Sequence, residues 1–298
     1  MDIHEGSAVS ADGSTITTYT SGPKGAPVMV LSNGLGGNII TWRHLIDHFT
    51  PAYRIVSWDY RGLYRSPPAL EDSDEAYSVA RHCEDLQAVL KAEKVKKAVF
   101  IGWSMGVQVN LEYHRRHWRR FLASIQINGT YGKPFETAFN APWMSVVGPR
   151  LLDVMEKVEP LMRSVGPIVT RTRAFIAMAK AVGLASPTLD EDVFFDLARD
   201  YVNLDFTAYT RIFRALADHD ARDMPAKMKC PTLVITGDRD LFTPIAMTRS
   251  MVDETPDVEF MAIKGGTHYT PLEYPMVVNL RIEKFLRERL SKAQNHAS

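Results

Sequence analysis

The chain has 298 residues, 45% of them hydrophobic and 23% charged, which is ordinary for a globular protein with a sizeable core. Its 35 lysines and arginines equal its 35 aspartates and glutamates, so net charge does not favour a polyanion or an acidic membrane as partner. The sequence shows no basic N-terminal flank with an apolar run and no long apolar stretch. We therefore expect a cytoplasmic protein without a secretory signal or a transmembrane segment.

The first half of the chain alternates predicted strands and helices. Asp12-Gly13 between two β-rich stretches predicts a hairpin. Short apolar runs predict buried strands, and amphipathic stretches predict the helices between them. The predicted strands span residues 28–31, 54–58, 98–101 and 123–128, and the predicted helices span residues 42–49 and 78–93 and follow residue 105.

A glycine-rich turn, residues 32–38, follows the first of these buried strands. Such a turn can cradle a phosphate or supply free backbone N–H groups to an oxyanion. It lacks the G-x-G-x-x-G spacing, and no P-loop lysine follows it. An ordinary tight turn is an equally open interpretation of this stretch.

Neither the histidines nor the cysteines form a metal-binding pattern. His44 and His48 are four residues apart on a predicted helix, but the glutamate of H-E-x-x-H is missing and no third ligand suggests itself. Cys83 and Cys230 are distant in sequence and outside any motif. We expect surface or capping histidines, small buried cysteines in a reducing compartment, and no metal.

The sequence Gly102-Trp103-Ser104-Met105-Gly106 joins a predicted strand to a predicted helix. Two glycines around a serine at such a point predict a very tight turn, because strand and helix then cross closely. The turn would leave the serine hydroxyl exposed at the carboxyl edge of the sheet, facing the N-terminal dipole of the helix. A plain strand-to-helix turn that needs small residues is the alternative.

A basic run, residues 114–120, ends the helix that follows Ser104. A basic run beside a tryptophan could contact nucleic acid. Positive charge also stabilises the C-terminus of a helix through the helix dipole, and we favour this interpretation. We therefore expect no nucleic-acid partner.

The strand–helix alternation stops after the strand at 123–128, and the pattern is helical from Thr130 to about Asp218. Glycine–proline and serine–proline pairs divide this block. We expect helices over residues 149–164, 169–182, 190–202 and 206–217. A helical insert in an α/β chain is best explained as a cap, residues 130–217, over a core formed by residues 1–129 and 218–298. Most of its methionines and phenylalanines would form core, and some of them would line an apolar pocket.

The alternation resumes with predicted strands at 232–236 and 258–263 and a closing helix at 277–290. The first of these strands leads into a loop with Asp238 and Asp240, and the second leads into a loop with His268. Either aspartate could orient the histidine. We favour Asp240 because it lies further along the loop, whereas Asp238 suits a turn or a cap.

The order of a serine elbow, a helical insert, an acid and a histidine resembles that of the α/β-hydrolase superfamily, in its capped esterase, C–C hydrolase and cofactor-free haloperoxidase-like branches. The resemblance covers about residues 26–290 except the insert. It implies a mostly parallel, doubly wound sheet of about eight strands. It also implies roles for five residues: a nucleophile at Ser104, a triad acid at Asp240, a general base at His268, and oxyanion-hole N–H groups at Leu35 and Met105.

Three positions depart from the pattern of this superfamily. Residues 59–66 resemble its D-x-R-G-x-G-x-S loop, but Tyr64 replaces the second glycine. Asn33-Gly34 stands where the family often has His-Gly, and Val107 stands where it usually has a small residue. None of these changes removes a reacting group, although the elbow helix would sit slightly further from its neighbours.

The residues and the resemblance predict a serine hydrolase that cleaves a small-molecule carboxylic ester through an acyl-enzyme on Ser104. A serine hydroxyl needs a base to take its proton, and histidine titrates near neutrality and suits that task. We expect Trp103, Gly34 and Tyr269 to contact the substrate, and we expect no cofactor.

Other uses of the same residues stay open at this point. They are C–C bond, lactone or thioester hydrolysis and perhydrolysis. Dehalogenases and epoxide hydrolases are disfavoured because their relatives carry aspartate where Ser104 stands. A non-catalytic ligand receptor is a remote alternative, and transient contact of the cap with lipid is left open.

Overall fold

A computed structural model describes residues 2–137, 143–170 and 172–295. The strands are β1 (His4–Val9), β2 (Thr15–Ser21), β3 (Val28–Ser32), β4 (Arg54–Trp58), β5 (Ala98–Trp103), β6 (Phe121–Ile127), β7 (Thr232–Gly237) and β8 (Val258–Ile263). The helices are α1 (Arg43–Phe49), α2 (Val79–Ala92), α3 (Met105–His117), α4 (Pro134–Thr137), α5 (Met144–Val169), α6 (Arg173–Ala181), α7 (Glu191–Tyr201), α8 (Phe206–Asp218), α9 (Ile245–Glu254), α10 (Thr270–Glu273) and α11 (Pro275–Asn295).

The strands form one eight-stranded sheet in the order β1-β2-β4-β3-β5-β6-β7-β8. Strand β2 pairs antiparallel with both β1 and β4, and the other neighbours pair parallel. Helices cover both faces, as parallel strands joined by crossovers require. The predicted mostly parallel, doubly wound sheet of about eight strands is confirmed.

Two hydrophobic cores lie on opposite faces of this sheet. One contains Leu86 of α2, Val109 of α3 and Met251 of α9, and the other contains Ile46 of α1 and Ile282 of α11. All six residues of β5 are buried. The uniformly apolar sequence of β5 thus follows from its place between β3 and β6, where it is covered on both faces.

The carboxyl ends of the parallel strands meet at one edge of the sheet. The glycine-rich turn follows β3, Ser104 follows β5, Asp240 follows β7 and His268 follows β8. In open α/β sheets, ligands bind at this edge. The topology therefore brings residues far apart in sequence to one place.

The chain between β6 and β7 contains helices α4 to α8 in its described parts. Helix α5 runs from Met144 to Val169, so Gly148-Pro149 and Gly166-Pro167 lie within it, and the predicted breaks at these pairs are wrong. The fixed φ of proline is compatible with a helix, although each proline removes one backbone hydrogen bond and its ring crowds the carbonyl of the residue four positions earlier. The division into a core and a cap at residues 129/130 and 217/218 stays a prediction.

This helical segment is connected to the sheet region by polar contacts as well as by packing. Arg43 and Asp196 form an ion pair at 3.0 Å, and His44 Nε2 lies 2.9 Å from Asp190 Oδ2.

In the described residues, none of the helices is both long enough and apolar enough to cross a bilayer.

Helix α3 crosses β3 so closely that Gly106 has no room for a side chain. A Cβ at Gly106 would lie 2.0 Å from the carbonyl oxygen of Ser32. We predict that Gly106→Ala lowers the free energy of unfolding by about 1–3 kcal/mol or more, because the crossing must widen. Urea unfolding of the purified protein measures this.

Gly132→Ala is the matched control, because its Cβ would meet only the Arg222 side chain, at 3.4 Å. We expect the stability of Gly132→Ala to stay close to that of the wild type. Equal stabilities of the two variants would contradict the close crossing at Gly106.

Candidate active site

Ser104 occupies a strained turn between β5 and α3. Its backbone has φ +55° and ψ −118°, a conformation that residues with a Cβ rarely adopt. The Ser104 N–H donates to the carbonyl oxygen of Ile127 at 3.0 Å, which fixes the turn against β6. The strain is maintained by the close crossing at Gly106, and it leaves the side chain half-buried at the edge of the sheet.

Val107 stands where the superfamily usually has a small residue. A glycine at the end of the neighbouring strand β6 makes room for its side chain. Val107 is fully buried, and a Cβ at Gly129 would lie 2.2 Å from its Cγ2. The space for the valine therefore comes from Gly129, directly after β6.

His268 and Asp240 are joined by a hydrogen bond. His268 Nδ1 lies 2.8 Å from Asp240 Oδ2. An ionised carboxylate only accepts hydrogen bonds, so Nδ1 carries the hydrogen and Nε2 of the neutral ring keeps its lone pair. Asp238 does not take part, because its Oδ1 accepts the backbone N–H of Gly265 at 2.7 Å.

The Asp240 carboxylate is buried and accepts a full set of hydrogen bonds. Asn128 Nδ2 and Thr243 Oγ1 donate to its Oδ2 at 2.8 and 2.6 Å, and the N–H groups of Phe242 and Thr243 donate to its Oδ1 at 2.8 and 2.9 Å. Burial raises the pKa of Asp240, but the charge and hydrogen bonds of His268 and Thr243 outweigh it and hold the pKa below its ordinary value. Asp240 is thus an anion at neutral pH.

Asn128 is a site residue that the sequence reasoning missed. Its Nδ2 also reaches the carbonyl oxygen of Thr267 at 3.0 Å, and its Oδ1 accepts a short hydrogen bond from Thr270. Asn128 therefore connects the Asp240 loop with the His268 loop. The sequence feature that could have revealed Asn128 is a polar residue directly after a buried strand, at the sheet edge where the other candidate site residues lie.

The His268 loop is held from two further sides. Trp103 Nε1 donates to the carbonyl oxygen of His268 at 2.8 Å. Buried Glu273 accepts the N–H of Thr267 and the N–H of Ser186, both at 2.7 Å. The imidazole is thereby fixed in position on the wall of the cavity described below.

The glycine-rich turn after β3 lies beside Ser104. Asn33 is buried, with its Oδ1 accepting from Trp42 Nε1 and its Nδ2 donating to the carbonyl oxygen of Trp58, both at 2.7 Å. Among the described residues, the N–H groups of Leu35 and Met105 donate to no other protein group. Both residues line the same cavity as Ser104, so the two donors are available to a ligand there.

A cavity of about 520 Å³ opens between the sheet edge and the helical segment. Ser104 and His268 lie on its wall, although in the described part of the chain no hydrogen bond joins their side chains. Such bonds are often long in unliganded enzymes and tighten only with substrate. Of the three residues expected to contact substrate, Trp103 and Tyr269 line the cavity, whereas Gly34 is not among its lining residues and packs against Trp103 and Ser104.

The walls of this cavity are rich in aromatic side chains. Nine aromatic side chains lie among the described lining residues: Trp103, Phe135, Phe175, Phe194, Tyr201, Tyr209, Phe213, Phe242 and Tyr269. No aspartate, glutamate, lysine or arginine is present among the described lining residues. A ligand in this cavity therefore meets an apolar surface with a few hydroxyl and amide groups.

The two histidines four residues apart bind different carboxylates. His44 lies against Asp190, and His48 Nε2 lies 3.0 Å from Glu283 Oε2. Within residues 2–137, 143–170 and 172–295, no group of three or more His, Cys, Asp or Glu side chains is placed to hold a metal ion.

Residues 27–157 match the model of a protein family described as alpha/beta hydrolase fold. A 3-oxoadipate enol-lactonase of Acinetobacter baylyi is 27% identical over 288 residues, which cover 96% of each chain. A putative carbamate hydrolase, RutD, of Pseudomonas syringae is 25% identical and covers 88% of this chain and 94% of its own length.

Solved structures show the same fold. An enol-lactonase from Burkholderia xenovorans superposes with a TM-score of 0.73 at 22% identity, over 95% of this chain and all of its own. An esterase from Exiguobacterium antarcticum superposes with a TM-score of 0.76 at 16% identity over the same shares. Together with the strand order described above, these matches show that the chain has the alpha/beta hydrolase fold.

Proposed function

We propose that this protein is a serine hydrolase that cleaves a carboxylic ester through an acyl-enzyme on Ser104. The observation that carries the proposal is the location of Ser104, on a strained elbow, in the same cavity as the hydrogen-bonded pair His268–Asp240. A hydroxyl, an imidazole with a free Nε2 and a buried carboxylate are the groups that acyl transfer requires.

Each group has a defined task in this mechanism. His268 Nε2 takes the proton of Ser104 as the hydroxyl oxygen attacks the ester carbonyl carbon. The N–H groups of Leu35 and Met105 bind the oxyanion that forms, and each such donor is worth about 3–4 kcal/mol in the transition state. His268 then returns the proton to the leaving alcohol.

The second half of the reaction reverses these roles with water. His268 activates a water molecule, which attacks the acyl-enzyme and releases the acid. Asp240 keeps Nδ1 protonated and stabilises the imidazolium in both halves. Asn128 and Thr243 hold the Asp240 carboxylate by the hydrogen bonds described above.

The cavity supports a substrate with an uncharged, largely apolar acyl or alkyl group. Its nine aromatic side chains offer apolar and π surfaces, and cavities of this size accept small molecules. A carboxylate on the substrate would lose its hydration and gain no cationic partner among the described lining residues, which is costly.

Lactone hydrolysis is a second candidate function, and the Acinetobacter baylyi relative favours it. That protein is named as an enol-lactonase, and a lactone is an internal ester that the same groups can open. Its named substrate derives from adipate, an acid. The uncharged cavity here favours a lactone without a free carboxylate.

We predict that the wild type hydrolyses p-nitrophenyl esters with an initial burst and an optimum at one acyl-chain length between acetate and palmitate. Ser104→Ala should lower kcat by at least about 10³-fold, because no acyl-enzyme can form. The exposed Ser250 supplies the matched control, and Ser250→Ala should retain wild-type turnover. Turnover that survives in Ser104→Ala, or no turnover on any ester, would refute the proposal.

Two esters of equal chain length, one with and one without a free carboxylate, test whether the cavity disfavours a charged substrate. We predict that kcat/KM for mono-p-nitrophenyl adipate is at least about 100-fold below that for p-nitrophenyl hexanoate, because its carboxylate must be buried without a partner. Steady-state rates on the wild type measure the ratio. Equal values for the two esters would contradict the proposed substrate class.

The depressed pKa of Asp240 predicts both activity and stability changes in Asp240→Asn. We expect kcat to fall about 10³–10⁴-fold, because the wrong tautomer of His268 is favoured.

In the wild type, the stability that Asp240 contributes is present at neutral pH and is lost as pH falls below about 4, where the carboxyl of the unfolded chain is protonated. The difference in free energy of unfolding between the two proteins should therefore shrink from pH 7 to pH 3.

Asp238→Asn is the control for Asp240→Asn, since Asp238 contacts Gly265 and not His268. Its kcat should remain within about two-fold of the wild type, as expected for a side chain outside the site. An equal loss of kcat in both variants would argue against Asp240 as the partner of the imidazole.

A further inference from the structure

Tyr64 occupies a backbone conformation that favours glycine. It has φ +53°, in the left-handed region, at the position where the D-x-R-G-x-G-x-S pattern has its second glycine. A tyrosine in this conformation is strained, and such strain persists only where the surroundings hold it. The contacts of its side chain show what holds it.

The hydroxyl of Tyr64 donates a short hydrogen bond to the carbonyl oxygen of Gly36, in the turn after β3. A second tyrosine of the same loop acts on the other side of that turn, since Tyr60 Oη donates to the carbonyl oxygen of Asn33 at 2.7 Å. Two tyrosines of one loop thus hold two carbonyls of the turn that carries Leu35.

Residues 34–37 form a tight turn, and the hydrogen bonds from Tyr60 and Tyr64 fix its two flanking carbonyls. The N–H of Gly37 donates to the carbonyl oxygen of Gly34 at 2.9 Å, and Gly36 has φ +72° at the third position, as in a type II turn. Leu35 is the second residue of this turn, and its N–H takes no part in the internal hydrogen bond. Its direction therefore depends on how the flanking carbonyls are held.

Tyr64 remains a hydrogen-bond donor throughout the neutral pH range. Burial, together with the nearby carboxylates of Asp59 and Asp200 and the phenol of Tyr209, raises the pKa of its hydroxyl well above the ordinary value. The phenol is half-buried and keeps its proton for the Gly36 carbonyl.

We propose that Tyr64 is a positioning residue of the oxyanion hole, whose hydroxyl holds the Gly36 carbonyl and thereby aims the Leu35 N–H at the oxyanion. The inference rests on the proposed ester hydrolysis. The inference gives a role to Tyr64, one of the three positions at which this chain departs from the superfamily pattern. The positive φ of Tyr64 is then the backbone conformation from which its hydroxyl reaches the Gly36 carbonyl.

Tyr64→Phe removes only the hydroxyl and is the main test. On the best p-nitrophenyl ester, kcat should fall about 10-fold with KM within about two-fold, because a misplaced donor weakens binding of the transition state more than that of the ester. Affinity for an alkyl trifluoromethyl ketone, which forms an oxyanion on Ser104, should fall by a similar factor. Affinity for the carboxylic acid product should not change.

Two further variants separate the hydroxyl from the backbone. Tyr64→Gly restores the residue of the superfamily pattern and relieves the positive φ, yet kcat should fall as in Tyr64→Phe. Tyr77→Phe is the matched control, because the Tyr77 hydroxyl accepts from the Ala69 N–H at 3.3 Å and makes no hydrogen bond with residues 33–38. Its kcat should equal that of the wild type.

Hydrogen exchange over residues 33–38 gives a readout that does not depend on activity. Amide exchange in this peptide should accelerate several-fold in Tyr64→Phe and stay unchanged in Tyr77→Phe. Wild-type kcat, ketone affinity and exchange in Tyr64→Phe would overturn the inference. Absence of Ser104-dependent turnover in the wild type would overturn the proposed function, and exchange at the turn would then still decide whether Tyr64 holds it.

Discussion

The close crossing of α3 over β3 is the constraint on which the site depends. A side chain at Gly106 would lie 2.0 Å from the Ser32 carbonyl oxygen, so helix and strand meet backbone to backbone. This contact brings the N-terminus of α3 beside the glycine-rich turn and forces Ser104 to φ +55°. The local strain is therefore stabilised by the packing of the whole sheet, and it places a hydroxyl beside two free N–H groups.

Electrostatics at this edge are arranged around the buried carboxylate of Asp240. Asp240 is anionic because His268, Asn128 and Thr243 surround it with hydrogen-bond donors. A buried carboxylate without these partners would take up a proton, and His268 would lose its orientation.

The sequence predicted what depends on local pattern and missed what depends on tertiary contact. Apolar runs located the parallel strands in the interior of the sheet, because a strand covered on both faces tolerates few polar residues. The glycines around Ser104 revealed the elbow for the same steric reason that the structure displays. The contacts of Asn128 and Tyr64 join residues of different strand ends, and no local pattern encodes such pairs. Helix α5 continues through Gly148-Pro149, since tertiary packing overrides the intrinsic cost of proline in a helix.

The helical segment between β6 and β7 contacts the sheet edge through the turn that carries Leu35. Asn38 Nδ2 donates to Asp200 Oδ2 of α7 at 2.9 Å, and the ring of Tyr201 occupies the space that a side chain on Gly36 would need. The turn is therefore held by Tyr60 and Tyr64 from the sheet side and by α7 from the cap side. A ligand that displaces α7 would therefore move the turn that carries the Leu35 N–H, so the wall of the cavity and this turn behave as one structural element.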